Sequence, residues 1–276
     1  MLKRALGSLL RYLAFALVAL WSAVPVLFIV LSSLKREQDI FTYPPVLLFR
    51  PTFDHYVTLW QQWGGFFDTL RNSLIVASGA TLLAAAVSFL AGFAYSRYSS
   101  RFLAGSAFYM IAVRLLPPIV VTLPLFPLAD FLGLSDSHVL LIVLYATFWV
   151  SLFTMIMKTF IDEVPVELDE AAYVDGASRW QTLMKVIFPL ALQGMAAGSL
   201  FVFIYSWNEF LFALIFTTKD AKTAPLVISE VMGSVDGTAW GVLFAGVTVQ
   251  LLPVVLLAGF AQRFLIAGLT AGSVKG

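Results

Sequence analysis

Long apolar runs separated by short polar intervals dominate the chain. A helix needs about 20 mainly apolar residues to cross a hydrocarbon core of roughly 30 Å. Runs of that order lie at residues 12–34, 72–95, 102–131, 139–157, 190–216 and 240–260. They are continuously apolar rather than alternating, which favours helices over the strands of a membrane barrel. The pattern therefore predicts an all-α polytopic membrane protein with about six transmembrane helices in one domain, residues 1–276.

The composition supports lipid as the main solvent of the chain. The 276 residues are 60% hydrophobic and 12% charged, with a mean hydropathy of +0.91, whereas soluble domains carry about 25% charged residues. A net charge of +1 gives no bulk attraction to nucleic acid. The absence of cysteine excludes disulfides and thiolate metal sites, and the only histidines, His55 and His138, lie far apart. We therefore expect neither a metal site nor a nucleic-acid partner.

The first apolar run is predicted to be an uncleaved span rather than a signal peptide. It follows Lys3, Arg4 and Arg11, as a signal sequence would. However, it is longer than the roughly 7 to 15 apolar residues of a signal sequence, and no convincing small-x-small cleavage site followed by a soluble domain appears.

Basic residues predict the orientation, because they concentrate on the cytoplasmic side of a membrane protein. With both termini inside, the inside regions hold Lys3, Arg4, Arg11, Arg97, Arg101, Lys158, Arg179, Lys185, Arg263 and Lys275. The outside regions then hold Lys35, Arg36, Arg50, Arg71, Lys219 and Lys222, and Arg114 falls within a span. This bias predicts that both termini and the polar interval 158–189 face the cytoplasm.

Three further polar segments flank the spans. Residues 35–71 contain the proline- and aromatic-rich stretch "YPPVLLFRPTFDHYVTLW", which predicts a short extracytoplasmic cap or a segment lying along the interface. The external interval 217–239 is polar. The tail 263–276 is short and glycine-rich, and its composition predicts a disordered cytoplasmic segment.

The interval 158–189 holds six carboxylates and predicts two short helices. Pro165 suits a first helical turn, and Gly176 suits the left-handed position just past a helix end. Between them, one predicted face is small and apolar and the other is acidic. The apolar face is Leu168, Ala171 and Ala172, and the acidic face is Glu167 and Glu170.

The second helix of this interval is predicted to begin at Ser178, because Gln181 three residues later completes a capping-box pattern. Its apolar face is Trp180, Leu183, Met184 and Ile187, opposite Gln181, Thr182 and Lys185. Such a helix could lie on lipid headgroups. The acidic face of its neighbour favours a protein contact instead, because anionic headgroups repel carboxylates.

The string "EAAYVDGASRWQTLMKVIFPL" resembles the EAA loop of the membrane subunits of ATP-binding-cassette importers. The matching positions are Glu170, Ala171, Ala172, Asp175, Gly176, Ile187 and Pro189. The sequence "WNEF" at 207–210 and the ending "GLTAGSVKG" at 268–276 resemble the carbohydrate, maltose-type branch of that family. The similarity extends from "SSLKREQDIF" after the first span to the last residue.

This resemblance implies a mechanical role for the interval. In that family the loop docks in a cleft of a separate cytoplasmic ATPase, with its glutamate facing a basic residue. Glu170 is then the charged contact, Ala171 and Ala172 permit close approach, and Gly176 sets the bend. Asp175, Trp180, Ile187 and Pro189 complete the expected coupling set. As an alternative to disorder, the resemblance places the tail 263–276 against the ATPase.

The resemblance also implies the partners and the location. It implies two copies of a cytoplasmic ATP-binding subunit, a second and related permease chain, and an extracytoplasmic solute-binding protein, all at a bacterial inner membrane. The chain itself has no G-x-x-x-x-G-K-[ST], H-E-x-x-H or G-x-S-x-G segment. It is therefore predicted not to be an enzyme and to bind no cofactor, with ATP and Mg held by the partner ATPase.

Polar residues inside the spans are candidates for the substrate pathway, because an intramembrane charge is costly unless it faces protein or water. The candidates are Trp207, Asn208, Glu209, Arg114 and Gln250. Trp207 offers a stacking surface and Asn208 hydrogen bonds, both useful for a polyol. Glu209 could instead belong to a structural polar network, and Arg114 could pair with Glu209 or Asp130. Paired prolines after Arg114 predict a break in the third span.

The sequence thus predicts a permease subunit of an ATP-driven importer for a sugar, oligosaccharide or polyol. A permease for a non-sugar solute is the nearest alternative. A membrane scaffold or sensor that recruits a cytoplasmic protein is an alternative of a different class. A secondary transporter is less favoured, because coupling ions would require more intramembrane carboxylates than Glu209 and Asp130.

Overall fold

Every regular element in the part of the chain that the structure describes is helical, which confirms the predicted all-α fold. The computed structural model describes residues 2–63, 65–233 and 237–272, with side chains described at residue 7 and, outside the gaps, from residue 9 to residue 260. The longer helices are α1 Leu2–Ser32, α2 Asp54–Gln62, α3 Gly65–Arg97, α4 Arg101–Val113, α5 Pro118–Phe131, α6 His138–Asp162, α7 Val166–Val174, α10 Leu192–Trp207, α12 Ala224–Met232 and α13 Trp240–Gly272. The shorter ones are α8 Arg179–Thr182, α9 Phe188–Leu190 and α11 Leu211–Phe216, with a 3₁₀ turn at Glu37–Asp39 and a π-helical turn at Leu183–Ile187.

The apolar helices account for the predicted number of spans. Within the described residues, α1, α3, α6 and α13 are each long and apolar enough to cross a membrane. Two further pairs pass the same test but are bent, α4 with α5 by 97° and Arg179–Leu190 with α10 by 74°. Counting each bent pair as one span gives six.

The structure moves several predicted boundaries. Helix α6 continues to Asp162, so residues 158–162 are helical rather than part of the polar loop. The apolar run 190–216 is not one helix, because α10 ends at Trp207 and α11 begins at Leu211. Helix α13 continues through Gly272, so residues 263–272 of the predicted tail are helical, and residues 273–276 lie outside the described residues. The apolar pattern predicts only the part of a helix that lies in lipid. The helix itself can continue into polar residues beyond the membrane.

The break in the third span lies where the sequence predicted it. Helix α4 ends at Val113 and α5 starts at Pro118, with Pro117 at its N-cap. Pro117 and Pro118 have no backbone N–H, so the α-helical ladder cannot continue through them. The residues between the helices form a tight turn, in which Leu116 N donates to the Val113 carbonyl at 3.1 Å.

The chain divides into two compact units. The first comprises residues up to Asp68 and Val227–Leu252. Within it, the Glu37 carboxylate accepts hydrogen bonds from the first N–H groups of α13, those of Trp240 and Gly241, both at 2.8 Å. Residues 35–71, which were predicted to form an external cap or interfacial segment, contain the 3₁₀ turn, α2 and the start of α3.

The second unit, Thr69–Leu226 with the chain beyond Pro253, is built on α3, α6 and α10. Small residues allow these helices to approach closely, as is common between membrane helices. A Cβ added at Gly92 of α3 would lie 2.7 Å from the Cβ of Met157 of α6. A Cβ added at Gly198 of α10 would meet the Phe153 ring of α6. This unit positions all the candidate site residues except Gln250.

Candidate coupling and pathway sites

The polar connection after α6 forms a bent pair of short helices, which we call the elbow, residues 163–190. Its first helix, α7, follows Pro165 at the N-cap position and ends before Gly176. Gly176 has φ +83°, which confirms the predicted left-handed turn. The turn is closed by hydrogen bonds from Gly176 N to the Tyr173 carbonyl at 3.0 Å and from Ala177 N to the Ala172 carbonyl at 2.9 Å. Glycine tolerates this backbone without the penalty that a Cβ carries.

The second half of the elbow begins at the predicted capping box. Ser178 N donates to Gln181 Oε1 at 2.8 Å, and Gln181 N donates to Ser178 Oγ at 3.3 Å. The following π-helical turn ends where the Phe188 N–H donates to the Leu183 carbonyl. Pro189 is the next residue and has no backbone N–H to donate. The π-helical turn therefore lies where the α-helical hydrogen-bond pattern is interrupted.

The apolar face of this second helix is only partly buried. Leu183 and Ile187 are buried, whereas Trp180 is 61% exposed and Met184 is 39% exposed. Thr182, which was predicted on the polar side, is fully buried. Burial follows the packing of the helix against its neighbours in the second unit rather than side-chain polarity.

Asp169 fixes the elbow to the rest of the second unit, and sequence analysis missed it. Its Oδ2 accepts a hydrogen bond from Arg97 Nε at 2.6 Å, and the two side chains are only 6% and 8% exposed. Arg97 also donates to the carbonyls of Ile161 at 3.2 Å and Val164 at 2.9 Å. One guanidinium at the end of α3 therefore holds both the end of α6 and the first helix of the elbow. The only local signal was that Asp169 shares a face with Ala172 three residues on.

The other side of α7 is open. Glu167, Glu170, Ala171 and Asp175 are exposed and Ala172 is half-buried. The predicted small apolar face is not the buried side of α7, because Leu168 is 41% exposed and Ala171 is exposed. The inward face is instead the one that carries Asp169. Glu170 and Ala171 therefore lie on the exposed side of α7, opposite the side that Asp169 attaches to Arg97.

The predicted pathway residues do not form one open wall. Trp207 is only 2% exposed and packs in an apolar cluster with Ala77 and Phe203, its ring nearly parallel to Phe203 at 5.8 Å. This burial contradicts an exposed stacking surface at Trp207. Asn208 is exposed, and its amide donates to the Ile204 carbonyl at 2.8 Å. Gln250 is half-buried in α13 of the first unit.

Glu209 has a structural function in the fold. Its carboxylate accepts hydrogen bonds from Phe212 N at 3.0 Å and Ala213 N at 3.4 Å, at the start of α11. The buried Tyr145 hydroxyl lies close to the same carboxylate. These contacts satisfy free N–H groups of the first helical turn, which compensates the burial of the charge.

Arg114 is not ion-paired with Glu209 or Asp130, contrary to the predicted pairing. Among the described residues it forms no salt bridge, and its guanidinium lies over the rings of Trp149 at 4.8 Å and Phe148 at 5.6 Å. Trp149 is stacked in turn on Tyr205, with ring centroids 4.3 Å apart and planes 19° apart. The sequence pattern offers no reason to select Trp149 or Tyr205, because both residues lie within long apolar runs.

A cavity of about 420 Å³ lies beside Arg114, between α4, α5 and α6. Its lining is mostly apolar, and the side chains in it that carry polar groups are those of Tyr109, Arg114, Thr147 and Ser151. Such a lining does not offer the array of hydrogen-bonding groups that a polyol requires. The cavity therefore does not by itself define a sugar site.

The polar connection before α6 is fixed by Asp136, which has φ +54°. Its carboxylate accepts four backbone hydrogen bonds at 2.9–3.2 Å and one from the Thr218 hydroxyl at 2.8 Å. The backbone donors are Thr218, Lys219, Asp220 and Ala221. Burial alone would raise the pKa of the Asp136 carboxyl, but these hydrogen bonds outweigh it and hold the pKa well below its usual range. Sequence analysis did not single out this aspartate.

Asn72 holds the same segment from α3. Its amide donates to the carbonyls of Asp220 at 2.9 Å and Lys222 at 3.0 Å, and its carbonyl oxygen contacts His138 Nε2 at 2.7 Å. The segment 218–222 is therefore fixed from two sides.

The fold is that of a polytopic membrane permease subunit. It has helical spans, of which the third and fifth are broken, and an elbow whose acidic side is exposed. Residues 84–270 match the family described as binding-protein-dependent transport system inner membrane component. The chain belongs to this family, so it is a membrane component of an ATP-binding-cassette transport system. The matched range contains the elbow, Arg97 and the Arg114 region.

Curated relatives match along the whole length. The chain is 31% identical over 278 residues to the trehalose/maltose transport system permease protein MalG of Thermococcus litoralis, covering 100% of both. It is 34% identical over 266 residues to the trehalose transport system permease protein SugB of Mycobacterium tuberculosis, covering 94% of this chain and 95% of the relative. The relatives are permease subunits.

A solved structure shares the fold. It is a bacterial ABC transporter involved in the import of the acidic polysaccharide alginate, matched with a TM-score of 0.78 and 18% identity over 95% of this chain and 97% of that chain. At this identity the match supports the fold alone.

Proposed function

We propose that this chain is the permease subunit of an ATP-driven importer for a sugar, oligosaccharide or polyol. The names of its full-length relatives, which include trehalose and maltose permeases, support this substrate class. In the proposed assembly the chain pairs with a second permease and takes substrate from an external solute-binding protein. Two ATPase subunits supply ATP and Mg chemistry, and this chain itself catalyses no reaction.

In the proposed topology both termini and the elbow face the cytoplasm. The distribution of basic residues supports this orientation. Helix α6 then runs from the outer segment that Asp136 fixes to the inner elbow, a length of about 37 Å for 25 residues. That length is sufficient to cross the bilayer.

The observation that carries this proposal is the two-sided character of α7. Its inner side is held to α3 and α6 through Asp169 and Arg97, while its outer side presents Glu170 and Ala171. A force on the outer side would therefore be transmitted to two membrane helices. ATP binding would draw two such elbows together and bias the spans between inward and outward states, so ATP shifts a two-state equilibrium.

The proposal is tested by reversing the charge at Glu170. In cells that rely on this transporter, Glu170→Arg should abolish ATP-dependent sugar uptake and release the ATPase subunits from the purified complex. Asp54→Arg, an equal charge change at an exposed carboxylate of α2 outside the elbow, serves as the matched control and should retain uptake. Uptake at the normal rate with Glu170→Arg would refute the proposal, and recruitment of a cytoplasmic protein without any uptake would favour the scaffold alternative.

A further inference from the structure

An aromatic strip with a cation at one end lies across three elements of the second unit. Phe201 and Tyr205 of α10 have nearly parallel rings 6.4 Å apart, and the Tyr205 ring stacks on Trp149 of α6. Arg114, at the break after α4, covers the Trp149 ring. We call these four residues the aromatic strip. Tyr205 and Phe201 are each 46% exposed, so the strip presents an open surface.

The polar groups of the strip argue against a lipid-facing position. Within the described residues Arg114 has no carboxylate partner, and an unpaired cation at membrane depth normally faces protein or water. Asn208 lies three residues after Tyr205 on the same exposed side of the helix, and its amide makes one local hydrogen bond. The guanidinium and the phenol group belong to side chains that contact the same indole ring, and the amide lies one turn further along the chain. Three polar groups therefore lie near this surface and favour a polar environment.

Two helix breaks flank the strip. Arg114 begins the break between α4 and α5, and Asn208 begins the break between α10 and α11. Irregular backbone at membrane depth is tolerated where it lines a water-filled cavity or is buried in protein, and transporter substrate sites lie at such breaks near the midplane. Tyr205 is 13 residues beyond Leu192, about 20 Å along α10, which places it within a hydrocarbon core of roughly 30 Å.

We propose that the aromatic strip is the surface on which this subunit holds a saccharide during translocation. The apolar C–H face of a pyranose ring would stack on the exposed Tyr205 ring, whose face carries negative charge density. The fixed fork of N–H donors on Arg114 and the amide of Asn208 would hydrogen-bond hydroxyl groups at the edge of the ring. This assignment rests on the proposed import function and replaces the buried Trp207 as the stacking surface.

The test uses the complete transporter, with its ATPase subunits and solute-binding protein, in proteoliposomes. The probes are radiolabelled maltose, trehalose and galactobiose, and the readout is the number of sugars moved per ATP hydrolysed. Tyr205→Ala and Arg114→Gln should each lower this ratio about tenfold, equivalent to about 1.4 kcal/mol. Tyr205→Phe keeps the ring and should remain within about twofold of the unaltered ratio. Phe102→Ala, at an exposed aromatic of α4, is the control and should leave the ratio unchanged.

The outcomes separate this inference from the proposed function. A normal sugar-to-ATP ratio in Tyr205→Ala overturns the strip assignment while import stands. Loss of the second permease from Tyr205→Ala complexes, with a normal ratio in those that assemble, also overturns it and makes the strip a subunit interface. If the unaltered transporter moves none of the probes with ATP, both the import proposal and the strip assignment fail.

Discussion

Two aspartates fix the polar connections at the two ends of α6, and they do so in different ways. Asp136 uses both carboxylate oxygens to accept five hydrogen bonds from the segment 218–221. Asp169 uses one oxygen, which meets Arg97, while its other oxygen is buried with no hydrogen-bond partner among the described residues. The segment before α6 is held by five hydrogen bonds to one carboxylate, whereas the side-chain anchor of α7 is a single carboxylate oxygen.

The difference affects how far each connection can move. A segment held by five hydrogen bonds keeps a fixed conformation. A helix held through one carboxylate oxygen can tilt about that contact without breaking it. The elbow therefore combines an open acidic side with a pivot that stays attached to α3 and α6.

Removing the pivot should have the largest effect. Asp169→Ala leaves the Arg97 charge buried and unpaired, which costs about 3 to 5 kcal/mol. We expect a lower unfolding temperature of the purified chain and loss of ATP-driven uptake. The exposed Lys158–Asp162 pair on α6 gives the control, because Asp162→Ala should cost less than about 1 kcal/mol.

The charge-swapped pair Arg97→Asp with Asp169→Arg distinguishes coupling from general instability. It should recover part of the lost stability because opposite charges still meet. Uptake should recover less, because an aspartate at position 97 cannot donate to the carbonyls that end α6. Equal stability losses for Asp169→Ala and Asp162→Ala would show that the buried pair contributes nothing special.

At the other end of α6, Asp136→Ala should loosen the 218–221 segment. The loss is about 1 to 2 kcal/mol, because water can replace part of the hydrogen bonding at this half-buried site. Amide hydrogen exchange should accelerate at residues 218–221 and remain unchanged at the elbow. Asp136→Asn should cost less, since asparagine keeps an acceptor oxygen and tolerates φ > 0.

The lowered pKa of Asp136 sets the pH dependence of this segment. Its stabilisation is complete above the unfolded carboxyl pKa, about 3.9, and is lost as pH falls through the lower folded pKa. Exchange protection at 218–221, corrected for intrinsic exchange rates, should therefore be constant from about pH 8 to about pH 5. A decline near pH 6 would contradict this assignment.

Two glycines give the smallest and most selective comparison. Gly176 in the elbow has φ +83° and Gly133 before Asp136 has φ +66°, and a Cβ at either meets nothing within 4 Å. Alanine should therefore cost about 1 to 2 kcal/mol at each through the backbone alone. Only Gly176→Ala should also reduce uptake, measured at equal protein levels, because it changes the angle between the elbow helices.

Features encoded by neighbouring residues were predictable from the sequence. The six apolar runs, the Ser178–Gln181 capping box, the turn at Gly176 and the break at Pro117 each depend on a few adjacent positions. Pairings across the fold were not predictable in this way. Arg97 and Asp169 are 72 residues apart, and no local pattern connects them.

The sequence also did not predict which face of a membrane helix packs inward. In α10 nearly every residue is apolar, so the pattern does not indicate which side packs inward. Trp207, the candidate stacking surface, is buried, whereas Tyr205 two residues earlier is exposed. Packing against Ala77 and Phe203 decides this orientation, and such packing depends on tertiary structure.

The most direct test of the central claim is the side of the membrane from which the elbow can be reached. The chain contains no cysteine, so single cysteines can be placed by Glu170→Cys and Asp220→Cys and treated with a membrane-impermeant maleimide. We predict labelling of position 170 only in inside-out vesicles, with protection when the ATPase subunits are bound, and labelling of position 220 only in intact, outer-membrane-permeabilised cells. Labelling of position 170 from outside would contradict the account.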